Sequence, residues 1–173
     1  MNLFPDFNMD DVEKTEVVEH DPALTERSTA RRVALQVLYE IDVSGHGVGT
    51  VLETRQAEQE LSKRSARHLR QIVLGVIEHR ERLDITIHHF APEWPPEQMA
   101  IVDRNILRMA IYELFFRSQV VNVVIAEAVE LAKLFGAEGT MRFVNGVLAA
   151  IAENSREAWK LLSPPVPPDE KSE

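Results

Sequence analysis

At 173 residues, with 45% hydrophobic side chains, the chain is sized for one domain around a buried core. It has no Cys, which excludes disulfides, thiolate metal sites and cysteine nucleophiles and fits a reducing cytoplasm. No stretch approaches the roughly 18 apolar residues of a membrane span, and the opening MNLFPDFNMDDVEKTEV lacks the basic-then-apolar plan of a secretion signal, so cytoplasmic residence is expected.

The net charge of −9 argues against nucleic acid only until its distribution is read. Residues 1–26 carry eight acids and one Lys, and residues 163–173 carry three acids and one Lys. The stretch 27–162 is therefore neutral and free to present a basic face. The same division sets the expected organisation: an acidic, disordered extension over 1–26, a helical domain over 27–162, and a Pro-rich charged tail over 163–173.

From Thr29, the residues Ala30, Val33, Ala34, Val37, Leu38 and Ile41 fall at helical spacing, with Ser28 or Thr29 as the expected N-cap. SGHGVGT ends this helix, and a short polar helix is expected over 50–60. A long helix over 62–79 has Leu69, Ile72, Val73, Val76 and Ile77 on one face, and another follows over 81–90. APEWPPEQ breaks the chain with three prolines. MAIVDRNILRMAIYELFF is apolar enough to be the central helix of the core. Asn122 is the expected cap of NVVIAEAVELAKLF, which Gly136 ends, and Thr140 that of the helix containing MRFVNGVLAAI. Asn145-Gly146 is ordinarily a turn signal, but Val144, Val147, Leu148 and Ile151 keep the helical stripe through it. A Gly inside a helix suggests the close approach of a neighbouring helix, so replacing Gly146 by Leu should overpack the fold. No strand and no internal repeat is legible, and the fold class is all-α.

Little in the chain asks for catalysis, a cofactor or a metal. GHGVGT follows a helix rather than a strand and lacks the Lys-Ser/Thr of a phosphate loop, so it reads as an interhelix connection. His88, His89 and Glu93 do not form a ligand set, because adjacent helical histidines point to different sides. Two basic stretches carry more. In RSTARRVALQVLY, Arg32, Gln36 and Tyr39 project away from the core stripe, and Arg27 and Arg31 flank it. Guanidinium groups grip phosphates and a planar ring stacks an unpaired base, which suits RNA. In SKRSARHLR, Lys63, Arg64, Arg67 and Arg70 appear without an acid, and Lys63, Arg67 and Arg70 form a ridge at i, i+4 and i+7. A single ridge is often only a solvated face; two on neighbouring helices would make a field that RNA could use.

Four blocks, ARRVALQVLYEID, RNILRMAIYEL, IAEAVELAKLFGAE and RFVNGVLAAI, stand in the order and at the intervals of the NusB family. The resemblance covers about residues 27–155. It implies a compact bundle of about seven helices in two subbundles, with no enzymatic activity. It also implies a transcription antitermination factor that binds the boxA element of ribosomal RNA leaders together with the ribosomal protein NusE. That complex joins RNA polymerase and other Nus factors and promotes ribosomal RNA synthesis. No membrane partner is implied. NusB-like proteins are known as monomers and as dimers, so a homodimer stays open.

By the same resemblance, the RNA surface uses the arginine-rich start of the first helix, here Arg27 and Arg31, with Gln36 and Tyr39 further along. His68 stands where the family commonly has Tyr, and Phe143 matches an aromatic near the RNA path. Departures are Arg32 in place of a Glu, Ala126 in place of an Asn, Val120 in place of a Pro, and the acidic extension itself. The rival reading is a protein-binding scaffold whose basic faces are merely solvated. A third, the RNA-binding module of an RNA-modifying enzyme, is disfavoured because no cofactor fold follows.

Overall fold

The computed structural model of the protein describes residues 22–164. The disorder expected over 1–26 is corrected for 22–26, which open the first helix, while 1–21 and the tail beyond 164 lie outside the described residues. Eight α-helices are found among them: α1 (Pro22–Ser44), α2 (Val48–Gln59), α3 (Lys63–Glu78), α4 (Arg80–Phe90), α5 (Ile101–Phe116), α6 (Val121–Phe135), α7 (Thr140–Glu153) and α8 (Ser155–Leu162). A short 3-10 turn, Pro96–Gln98, sits in the proline-rich break. The all-α expectation is met, and α8 is an eighth helix not anticipated from the sequence. Its Ala158 and Leu162 are buried.

α5 is buried from Asn105 through Leu114 without interruption, as a helix apolar on all sides must be. α1 packs on α2 and α3 to form one group, α4, α6, α7 and α8 form another, and α5 packs against both, with α1 and α6 also meeting at Ser28 and Glu127. α1 and α3 run parallel. Ser65 donates to the Glu26 carbonyl across 39 residues, and Arg80, just past α3, reaches Asp42 across 38, so their separation in sequence hardly changes along the pair. At the far end of α1, Asp42 accepts from Asn105 Nδ2 at 3.0 Å and pairs with Arg80, Arg104 and Arg108, with Arg108 also clamping Asp84 through two bonds of 2.7 Å. Burial pushes the Asp42 carboxyl up, but the Asn105 and Arg104 hydrogen bonds and the charges of Arg108 and Arg80 outweigh it and hold it below the usual carboxylate range. The polar residues of RNILRM are therefore ties between α5, α1 and α4.

Several local expectations are corrected. Ser28 and Thr29 do not cap α1, which begins at Pro22. Ser28 Oγ donates to Glu127 at 2.8 Å, and Thr29 Oγ1 bonds back to Thr25 O at 2.9 Å. Asn122 lies inside α6, whose N-cap is Val120. Thr140 is the first residue of α7 rather than its cap, but its Oγ1 accepts from Ala137 N–H at 3.0 Å and donates to Asp103 at 3.1 Å.

The reading of Asn145-Gly146 is half right. The helix does continue through it, but Gly146 is exposed and a Cβ there would meet nothing within 4 Å. No helix approaches it, and the overpacking expected of a larger residue is withdrawn. The close approach is at Gly75 of α3, where a Cβ would collide with the Tyr112 ring of α5.

Candidate nucleic-acid interface

Arginines at the start of α1 have different fates. Arg31 is 2% exposed and clamps the equally buried Glu113 of α5 through Nε and Nη2 at 2.8 and 2.7 Å. Its Nη1 lies 3.5 Å from Glu127 of α6. Burial opposes the charged guanidinium, but the bonds and charges of Glu113 and Glu127 prevail and hold its proton affinity above the ordinary value. A guanidinium committed in this way cannot grip phosphate, so the expected RNA contact of Arg31 is corrected to a tie between α1, α5 and α6. Arg27, one turn earlier, is partly exposed and donates to Gln119 at 3.2 Å.

His68 is corrected for the same reason. It is 8% exposed, with Nε2 3.8 Å from Glu113, so neither ring face is open to a base. Desolvation lowers its pKa to about 4; Glu113 opposes this, while Arg31, Arg27 and Arg117 reinforce it. It is a neutral core imidazole at neutral pH.

The other candidates stay at the surface. Arg32 and Tyr39 are exposed, Gln36 is half-buried between them, and the three follow one another at i, i+4 and i+7 along α1. Gln36 and Tyr39 line a groove of about 350 Å³ together with Leu35, Glu40, Arg55, Val102 and Phe135. On α3, Lys63, Arg64, Arg67 and Arg70 are all exposed. The first turns of α1 and α3 are joined by the Ser65–Glu26 bond, so the two basic stretches do meet at one end. Further along, Gln36 and Tyr39 face a side of α1 away from α3, since no residue of α3 lines the groove beside Tyr39. Phe143, half-buried, lines a second groove of about 330 Å³ with Trp94, Met99, Asp103 and Thr140.

Phe135 and Trp94 were not singled out from the sequence, yet they are 38% and 56% exposed in these grooves. The signal for Phe135 was its place immediately before the helix-ending Gly136, where a core stripe no longer holds an aromatic inward. Elsewhere, GHGVGT divides: Gly45 to Gly47 connect α1 to α2, with Gly45 at φ +69°, and Val48, Gly49 and Thr50 form the first turn of α2. His89 is bonded to Glu157 of α8 at 2.8 Å. No cluster of three or more His, Cys, Asp or Glu able to hold a metal is found among the described residues, and no described helix is long and apolar enough to cross a membrane.

An all-α fold, a buried Arg-Glu tie and a basic helix start thus accompany the four sequence blocks. The model of the NusB family matches residues 28–153. The chain belongs to the NusB family. Among its relatives, the transcription antitermination protein NusB of Chloroflexus aggregans is 44% identical over 130 residues, covering 73% of this chain and 87% of that protein. The NusB of Dehalococcoides mccartyi is 40% identical over 130 residues, covering 75% and 91%. In structure, T. maritima NusB superposes with a TM-score of 0.70 at 30% identity, covering 78% of this chain and 96% of that one. A further NusB-like neighbour is the structure of antitermination factors NusB and NusE in complex with dsRNA, with a TM-score of 0.69, 29% identity and coverage of 75% and 98%. The matched family region ends before α8, which is additional to it.

Proposed function

We propose that this NusB-family protein is a transcription antitermination factor that binds RNA of the boxA type together with NusE and tethers it to the transcription machinery, including RNA polymerase and other Nus factors. The observation that carries the reading is the exposed basic end shared by α1 and α3, on a fold similar to a chain crystallised with NusE and RNA. Arg27, Arg32, Lys63, Arg67 and Arg70 supply cations for phosphates, and Gln36 a polar group at the groove. Tyr39 and Phe143, beside their grooves, offer faces for unpaired bases. Arg31 acts behind this surface by holding α1 on α5, and His68 packs behind it on α3, beside Glu113 of α5. The protein positions RNA and transforms nothing, so no cofactor enters. The domain carrying this activity is the helical part, 27–162.

The test is a titration of labelled boxA-like RNA against a scrambled control, with and without NusE, at two salt concentrations. Partner-enhanced, selective binding is expected, with a log–log salt slope of about −0.7 for each phosphate held. Equal or absent binding to both RNAs with the partner present would favour the scaffold reading instead.

A further inference from the structure

Arg31, Arg55, Arg80, Arg104 and Arg108 each hold a carboxylate of this chain. Lys63, Arg64 and Arg67 do not. They are exposed on the first turns of α3 and make no ion pair or side-chain hydrogen bond with another described residue. Arg27 stands at the same end, since Ser65 Oγ on α3 reaches the Glu26 carbonyl of α1 at 3.1 Å. The first turn of α3 contains no acid, and at the start of α1 the single carboxylate, Glu26, is outnumbered by Arg27, Lys63, Arg64 and Arg67.

The chain enters this very place from the N-terminal side. Residues 6–21 contain Asp6, Asp10, Asp11, Glu13, Glu16, Glu19 and Asp21 against a single Lys14, and α1 starts at Pro22. A cluster of unpaired cations therefore sits beside the attachment point of an acid-rich segment. We infer that the basic surface at the joint start of α1 and α3 is the docking site of this chain's own acidic segment 6–21.

Reach is ample, since an extended chain covers about 3.3 Å per residue. Tethering presents the acids at an effective concentration of about millimolar, so pairs too weak to hold a free peptide can still be occupied. Exposed pairs of this kind are screened by salt, and the docking is accordingly reversible. One consequence rests on the RNA-binding reading above. The segment occupies the positions that phosphates would take, so RNA held by charge alone has to compete with it. RNA held also by base stacking and a protein partner displaces it. The acidic segment thereby raises selectivity by weakening unspecific binding.

The absence of Cys allows a single D11C substitution in the full-length protein to carry a spin label. Selective broadening of backbone amides over 62–71, relative to 80–90, is expected at low salt, and it should vanish at about 0.5 M salt. It should also vanish in K63E/R64E/R67E. Broadening no stronger at 62–71 than at 80–90 overturns the inference. So does broadening that scales with protein concentration, which would place the segment on a second copy.

In parallel, the full-length variant with all seven acids changed to Asn or Gln should bind scrambled RNA about three- to tenfold more tightly than the unaltered chain. If the broadening is present but neither form binds RNA, docking stands and the RNA reading fails. If both forms bind RNA equally and no broadening is seen, the RNA reading stands and docking fails. Broadening with equal RNA affinities would keep the docking and overturn the competition.

Discussion

Replacing Arg31 by Ala should unfold the protein more easily rather than strip a phosphate contact from an intact surface. The Arg31 and Glu113 side chains are 3% and 2% exposed, and both guanidinium bonds to Glu113 are below 3 Å. Removing the cation leaves a buried carboxylate without its partner, a change that costs about 3–5 kcal/mol where breaking such pairs has been measured. That is a large part of the roughly 5–15 kcal/mol that separates folded from unfolded states in ordinary domains.

For a chain of this size it corresponds to a fall in Tm of about 6–20 °C, read by circular dichroism at 222 nm. His68 adds a signature. It lies 3.8 Å from Glu113, and Arg31 is one of the charges that lower its pKa. Without Arg31 the imidazole can take a proton and pair with Glu113, so the loss should shrink as pH falls toward 5. Replacing both partners, as R31M/E113L, should recover most of the stability, because no buried charge is then orphaned. An R31A protein with unchanged Tm and lost RNA binding would refute this reasoning and return Arg31 to the RNA surface.

Stability should also depend on pH through His68 in the unaltered protein. Its folded pKa is lowered to about 4 from 6.5, so the unfolded chain binds more protons between those values. Stability should be full above pH 7 and fall by up to about 3 kcal/mol on acidification to pH 4, and H68F should flatten the His68 part of that slope in urea titrations. Glycine substitutions should separate by site: G75A, which drives a methyl into the Tyr112 ring, should cost about 1–3 kcal/mol by overpacking. G146A, in open space within α7, should stabilise by about 0.5–1 kcal/mol in the same denaturation assay, and a loss there would contradict the open environment. K63A/R67A should leave Tm within about 1 °C while reducing the RNA salt slope by about 1.4; an unchanged slope would remove the α3 ridge from the interface.

The helices, their order and the central place of α5 were legible in the sequence, because apolar period and turn residues are local properties of the chain. The same is true of the acidic ends and the basic starts of α1 and α3, since charge composition needs no coordinates. Resemblance of four spaced blocks was enough to reach the family before any packing was known. α8 escaped notice because SREAWKLL is only eight residues long, too short for a helix to hold by itself, and it becomes one by laying Ala158 and Leu162 onto the core.

What only the tertiary structure decided is which polar residues are free. Periodicity placed Arg31 at the edge of the core stripe, but its fate depends on Glu113, 82 residues away. His68, aligned with an aromatic position, is buried beside the same carboxylate, while Arg32 and Tyr39 on the same helix as Arg31 stay in solvent. Gly146 looked like the point of close approach, and Gly75 is. A helix's inward face is written in its own residues; what that face meets is written in another helix, and only folding brings the two together.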